Sequence, residues 1–436
     1  MIWAKEETLP RAEIEEIQLA RLQSTVSYIY ERVPSYRKKM EEAGVKPEDV
    51  KTLKDLQKLP FTNKSDFREN YPTGMFAVPS SQLQRVHASS GTTGKPTIVG
   101  YTKNDLHMWT NNVSRIACLG GATGDDIAQI CFGYGMFTGA LGLHMGLENI
   151  GACVMPTSTG NTKKQLMFMQ DMGTTLLVAT PSYALRIGEV AKLNGIDPIR
   201  DLNLKIGLFG GEGMTEAMRA EMKKMWGEDF LCTQNYGMSE LCGPGVSGEC
   251  EYLCGMHINE DWFIPEIIDP NTGEVLPAGE KGELVITCLG REALPLLRYR
   301  TKDISRLFYE PCKCGRTTCR MENLSGRSDD MLVIRGVNVF PGQIEEVLLK
   351  IEEIGPHYEI LVERKNHLDV MTISVELVDD RLLDKYSMLS ALETRIRQGL
   401  RDILGLDATI RLMAPQSLQR FEGKAKRVTD LRKDGL

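Results

Sequence analysis

The stretch TTLLVATPSYALRIGEVAKLNGIDPIRDLNLKIGLFGGEGMTEAMRAEMKKMW, residues 174–226, decides the fold class. Thr175–Ala179 and Ile206–Phe209 are short apolar runs, and Thr215–Trp226 sets apolar and charged side chains at helical spacing. Apolar runs without polar alternation, followed by amphipathic helices, indicate parallel strands joined by crossover helices. Working outward, Ile127–Phe132 and Ala152–Pro156 repeat the strand signal, and the alternation runs from about residue 85 to 290. Upstream, Ile14, Ile17, Leu22, Val26 and Ile29 share one face of a helix predicted over 11–43, ending near Gly44. Leu53 to Asp66 reads as a capped helix, a loop and a short helix. Downstream, PEIIDPNTGEVLPAGEKGELVIT (265–287) carries turn residues between strand-like runs, which predicts an antiparallel or barrel-like piece.

After GRSDD (326–330) the chain starts afresh. A strand (Met331–Ile334), a helix (Pro341–Ile351), two strands and a long helix (Leu382–Ile403) predict a compact α+β module of domain size. The expected fold is therefore α/β. A large domain, 1–328, has parallel βα units and a β-rich subdomain at about 245–325. A small mobile α+β domain, 329–436, follows.

Bulk properties narrow the classes. A chain of 436 residues exceeds what one core usually serves, so more than one domain is expected. A net charge of −7 disfavours a broad nucleic-acid or anionic-membrane surface. No run approaches a membrane span, and MIWAKEETLPRAEIEE lacks the basic-then-apolar order of a signal peptide, so a cytoplasmic location is expected. Eleven cysteines in a chain this long do not form a disulfide scaffold. Cys118, Cys131, Cys153, Cys232, Cys242 and Cys288 show no metal-like spacing and read as small buried thiols.

Ala88-Ser89-Ser90-Gly91-Thr92-Thr93-Gly94-Lys95-Pro96 packs backbone-exposing glycines, four hydroxyls and a lysine into one loop, the composition of a phosphate cradle. It lacks the Walker spacing. In order after it come FGGEG (209–213), NYGMSE (235–240), YRTKD (299–303), GRSDD (326–330) and Gly423-Lys424. This series resembles the adenylate-forming superfamily of acyl-CoA synthetases, luciferases and peptide-synthetase adenylation domains. FGYGMFTGALG (132–142), NYGMSEL (235–241), RYRTKDI (298–304), GRSDDMLVIRGVNVFPGQIEE (326–346) and EGKAKRV (422–428) narrow the resemblance to the phenylacetate–CoA ligase family.

The resemblance implies a two-step reaction, acyl-adenylate plus pyrophosphate and then thiolysis by coenzyme A, with ATP and Mg²⁺ as helpers. It assigns Ser89, Ser90, Gly91, Thr92, Thr93, Gly94 and Lys95 to the ATP phosphates. Gly211, Glu212, Asn235, Tyr236, Gly237, Met238 and Ser239 go to the adenine, and Asp303 and Arg327 to the ribose. Glu240 is implied as the Mg²⁺ ligand, which suits a hard cation, and Lys424 as the mobile catalytic cation. Asp329 is implied as the hinge, and Arg335, Gly336 and Val337 as the turn facing the pantetheine arm of CoA. Tyr134, Gly135, Phe137 and Ala140 are candidates for an aryl pocket, with ordinary core packing as the competing reading. Phenylacetate is the expected acid. Indoleacetate, hydroxyphenylacetate or benzoate-type acids, adenylylation of a deazaflavin cofactor, and a non-catalytic nucleotide-binding module remain as alternatives. The partners are then a small aromatic acid, ATP and CoA, with no nucleic acid and no membrane; a homodimer is left open.

One pattern lies outside those motifs. Cys250-x3-Cys254-x2-His257 and Cys312-x-Cys314-x4-Cys319 supply two short-spaced groups of sulfur and imidazole ligands, the spacing of structural zinc sites. Cys250, His257, Cys312 and Cys314 are the favoured four, with Cys254 and Cys319 in reserve.

Overall fold

A computed structural model describes the chain except for residues 90–95, 325, 328–331, 335–336, 366–367, 383–385, 422–426 and 434–436. The phosphate loop's centre, Asp329, Arg335, Gly336 and Lys424 therefore lie outside the described residues.

The first helical stretch is two helices, Arg11–Arg32 and Pro34–Glu42. Pro34 explains the break. It has no N–H to continue the helix, and it pushes Val33 to φ −115°, ψ 97°. Arg37 then satisfies carbonyls left open at the break, donating from Nε to Tyr30 O at 2.8 Å and from Nη2 to Glu31 O at 2.7 Å. Leu53–Lys58 forms a 3₁₀ turn rather than an α-helix, with Lys64–Glu69 as the short helix after it.

The large domain is built on a nine-stranded sheet. Its parallel part runs, in spatial order, Leu231–Met238, Ile206–Phe209, Leu176–Ala179, Ile127–Ile130 and Cys153–Met155. Helices Thr138–Asn149, Thr162–Met172, Pro181–Leu193 and Glu216–Trp226 connect or follow these strands. Leu176–Ala179 is buried at every position, as a parallel strand covered on both faces must be. Antiparallel strands Gly243–Glu249, Met256–Ile258, Arg320–Met321 and Leu307–Phe308 extend the sheet past Leu231–Met238. Cys153 is exposed, not buried as its spacing suggested, because its strand is the edge of the sheet.

The turn-rich segment forms a four-stranded antiparallel sheet: Phe263–Ile268, Gly282–Cys288, Tyr299–Ser305 and Gly326–Arg327. Arg85–Ala88 pairs antiparallel with Ile98–Tyr101, so the phosphate-loop sequence joins two strands of a hairpin.

Beyond Gly326–Arg327, Leu332–Ile334 pairs with Val337–Val339. Ile354–Lys365 and Leu368–Leu377 pair antiparallel, flanked by Thr409–Met413 and Val428–Asp430 in parallel. Helices Pro341–Leu348 and Tyr386–Leu404 pack on this sheet. Ile344, Val347, Ile360, Ile373, Ile396 and Leu400 form a core separate from that of the large domain. Among the described residues no helix is long and apolar enough to cross a membrane.

Candidate functional site

In open α/β sheets ligands bind beyond the carboxyl ends of the parallel strands. Two of the expected motifs arrive there. Phe209 ends its strand and leads into Gly210-Gly211-Glu212; Leu231–Met238 delivers Asn235 to Met238 beside it. Asn235 fastens the two together, donating from Nδ2 to Phe209 O at 2.9 Å. Gly211 sits at φ +78°, which a side-chain-bearing residue rarely adopts. Gly237 has no room for a side chain, since a Cβ there would lie 1.5 Å from Gly243 O. Glu212 is held at the first turn of Pro181–Leu193, accepting from Ser182 Oγ at 2.7 Å and Ser182 N at 3.3 Å.

The antiparallel sheet supplies the opposite wall. Tyr236 OH donates to Asp303 Oδ2 at 2.6 Å, and both residues are buried. Asp303 pairs through its backbone with Arg327, the two residues assigned to the ribose. Glu240 is 2% exposed and follows strand Leu231–Met238 in a short 3₁₀ turn. Its Oε1 accepts from Tyr299 OH at 3.3 Å. Arg291 fixes the turn by donating from Nη1 to Glu240 O at 2.5 Å and from Nη2 to Gly100 O at 3.2 Å. Its guanidinium lies 5.0 Å from the Tyr101 ring centroid. Arg291 thereby joins the phosphate-loop hairpin to the Glu240 turn. Ser239 bonds in the same direction, Oγ to Thr138 Oγ1 at 3.3 Å, with Tyr101 OH donating to Ser239 O at 3.4 Å.

Motif reading did not single out Arg291, Tyr299 or Thr138. The two carbonyls that Arg291 binds are remote in sequence, so nothing local marks it. Tyr299 stands inside YRTKD and was open to reading as a partner of the Glu240 carboxylate.

The aryl-pocket candidates divide. Tyr134 OH hydrogen-bonds His144 Nδ1 at 3.0 Å, and His144 Nε2 lies 2.9 Å from Glu148. The loop is pinned to the phosphate-loop hairpin through Met136 O, which accepts from Ala88 N at 3.0 Å. Phe137 is 54% exposed, whereas Ala140 is fully buried in the core on the helix Thr138–Asn149. A Cβ on Gly135 would meet nothing within 4 Å. Tyr134, Gly135 and Phe137 thus share a loop, and Ala140 packs away from it among core side chains.

The small domain docks over the large one through charge. His357 Nε2 lies 2.8 Å from Glu189 Oε1, on helix Pro181–Leu193, and Arg186 Nη1 lies 3.1 Å from Glu189 Oε2. Arg420 Nε approaches the same carboxylate at 3.9 Å while its guanidinium pairs with Glu376 at 2.6 Å. Burial works to raise the Glu189 pKa, yet hydrogen bonds and charge from His357, Arg186 and Arg420 outweigh it and hold the carboxyl below its usual range. Arg427 pairs with Glu345 at 2.9 Å.

Apart from the cleft, Cys250, His257, Cys312 and Cys314 converge, their ligand atoms all within 4.8 Å of one another. Cys319 is buried outside this group, its N–H donating to Glu260 Oε2 at 2.7 Å.

Comparison with known proteins agrees with this geometry. The family model described as "AMP-binding enzyme" matches residues 8–288, and that described as "AMP-binding enzyme C-terminal domain" matches 336–432. Phenylacetate-coenzyme A ligase of Thermus thermophilus is 46% identical, covering 98% of this chain and 98% of its own. The protein of that name from Escherichia coli K12 is 44% identical, over 98% of this chain and 97% of its own. Among solved structures, 2-hydroxyisobutyryl-CoA ligase in the postadenylation state superposes with a TM-score of 0.92 at 28% identity, over 99% of this chain and 92% of that one. The same ligase in the thioesterification state gives 0.72. The two domains are therefore arranged as in the postadenylation state.

Proposed function

The chain belongs to the AMP-binding enzyme family, and from that premise we propose that it ligates an aryl-acetic acid, phenylacetate foremost, to coenzyme A. ATP, acid and CoA give acyl-CoA, AMP and pyrophosphate through an acyl-adenylate. The observation that carries this reading is that strand Tyr299–Ser305 engages Tyr236 through Asp303 and Glu240 through Tyr299, in a chain that aligns nearly end to end with phenylacetate-coenzyme A ligases.

Adenylation brings a carboxylate against an α-phosphate, so positioning and charge neutralisation are what the protein must provide. Ser89 to Lys95 cradle the phosphates, Gly211, Glu212 and Asn235 to Ser239 hold the adenine, and Asp303 and Arg327 hold the ribose. Glu240 offers a buried, hard carboxylate oxygen on a turn fixed by Arg291, a donor that suits Mg²⁺; the ion supplies charge neutralisation at the phosphates. Lys424 brings a mobile cation to the acid and bridging oxygens. Its loop is flanked by Arg420 and Arg427, both fixed by carboxylates of the small domain. Tyr134, Gly135 and Phe137 face the aryl group. Asp329 is the hinge between 1–328 and 329–436, and about 245–325 form the β-rich subdomain. Rotation there brings Arg335, Gly336 and Val337 to the pantetheine arm. A zinc ion in the sulfur–imidazole cluster completes the cofactors. The enzyme works in the cytoplasm, where reducing conditions suit eleven free cysteines.

ATP–pyrophosphate exchange with and without phenylacetate, followed by addition of CoA, tests the reading. Exchange that depends on an aryl-acetic acid and thioester formed on adding CoA are expected; no exchange with any carboxylic acid in a panel sinks it. Lys424→Ala is expected to lower exchange at least about 100-fold while leaving thiolysis of supplied acyl-adenylate largely intact.

A further inference from the structure

Two stretches distant in the chain meet at one cluster: consecutive strands Gly243–Glu249, followed by Cys250, and Met256–Ile258, carrying His257, are joined by the loop with Cys312 and Cys314. Cys250 Sγ lies 3.7 Å from Cys312 Sγ, and His257 Nε2 lies 3.4 Å from Cys314 Sγ. Zinc–sulfur bonds of about 2.3 Å and zinc–nitrogen bonds of about 2.0–2.1 Å, set tetrahedrally, require ligand edges of about 3.5–3.8 Å. The two edges match that tetrahedron, and the sulfur–sulfur one is too long for a disulfide. The imidazole is oriented for the task, because His257 Nδ1 is engaged by Thr318 Oγ1 at 3.2 Å and Nε2 faces the sulfurs.

We propose that Cys250, His257, Cys312 and Cys314 form a closed structural zinc site, and that Cys254 stands outside it. Three thiolates and an imidazole select a borderline-soft cation over the hard Mg²⁺ that ATP chemistry uses. Four protein ligands leave no open position, so the ion holds chain and performs no step of the ligation. Cys254 Sγ approaches Cys312 Sγ to 3.5 Å, but Cys254 is exposed and its sulfur is not among the four mutually close ligand atoms.

What the ion holds follows from the loop's outward contacts. Arg316 donates from Nε to Glu7 Oε2 at 2.5 Å and from Nη2 to Met1 O at 2.7 Å. Thr317 Oγ1 donates to Leu9 O at 2.6 Å. The metal therefore secures the landing of the N-terminal arm, residues 1–9, and the last antiparallel strands of the nine-stranded sheet. The site does not depend on which acid is activated.

Elemental analysis of the full-length chain, purified without added chelator, is expected to give about one zinc per chain. Cys254→Ser should keep that ratio, while Cys312→Ser with Cys314→Ser should lose the metal and lower Tm by more than about 5 °C. Should the double variant fail to fold, chelation of the wild-type protein replaces it. Zinc removal should then speed proteolysis within the N-terminal arm, and added zinc should reverse the effect. Iron in place of zinc, loss of metal in Cys254→Ser, or a metal-free protein of unchanged Tm and unchanged arm protection each overturns the proposal.

Discussion

Tyr236 and Asp303 stand 67 positions apart and share a 2.6 Å hydrogen bond in a buried setting. A phenol donating to a carboxylate there contributes about 1.5–3 kcal/mol, and it also occupies one Asp303 oxygen, leaving the other for the proposed ribose contact. Tyr236→Phe keeps the ring for stacking and removes only this bond. It is expected to lower stability by about that amount and to raise KM for ATP in the exchange assay several-fold, with a smaller change in kcat. Denaturant titration and exchange kinetics check the two halves. Motif order named both residues without any knowledge of their contact, because each motif is a local string whose role survives in isolation. Arg291 was invisible by the same logic. Its two acceptors, Glu240 O and Gly100 O, are backbone atoms 51 and 191 residues away, and backbone leaves no trace in composition. The proposed zinc ligands were legible because short spacing is itself the signal, and the four favoured from spacing are the four whose ligand atoms converge, with Cys254 and Cys319 outside the group.

Helix Pro181–Leu193 was foreshadowed as a crossover element, and its Thr180 cap and Pro181 start are written in the sequence. Its second role was not, since Glu189 meets His357 across 168 residues and the contact exists only when the small domain is docked. One carboxylate facing His357, Arg186 and Arg420 is a latch for the arrangement shared with the postadenylation state. Arg420 lies four positions before Lys424 in sequence, so the latch bears on where the proposed catalytic lysine is placed. Glu189→Gln is expected to cost about 1 kcal/mol of that arrangement, reducing ATP–pyrophosphate exchange about fivefold and sparing thiolysis of supplied acyl-adenylate. Equal loss in both half-reactions would count against the latch. The pH dependence has a definite sign. The Glu189 pKa is depressed in the folded protein, so its contribution is complete above the unfolded value of about 4.3 and is lost as pH falls through the lower folded value. The Tm difference between wild type and Glu189→Gln should accordingly shrink as the pH falls below about 4.3 and Glu189 protonates.

The small domain's hydrophobic core merges with neither of the two large cores of the large domain, so each domain is expected to unfold as its own cooperative unit, and the fold offers a way to watch them separately. The chain has four tryptophans, Trp3, Trp109, Trp226 and Trp262, every one in the large domain. Trp109 and Trp226 are buried there, so their emission shifts when that domain opens. The small domain contributes helices and strands to circular dichroism but no tryptophan. Its described contacts with the large domain include the ion pairs around Glu189 and the packing of Leu349 on a large-domain core, which are weak beside a continuous apolar interface. Urea should therefore produce two circular dichroism transitions, with tryptophan emission following only the one that reports the large domain. Chelation of zinc should move that emission transition to lower urea and leave the other in place, because every proposed zinc ligand belongs to the large domain. A single transition seen alike by both probes would mean that docking couples the cores more strongly than these contacts allow. The partition also explains why the order of elements was readable from sequence and their mutual arrangement was not. Each core follows from local apolar periodicity, whereas the docked arrangement rests on long-range contacts that periodicity does not encode.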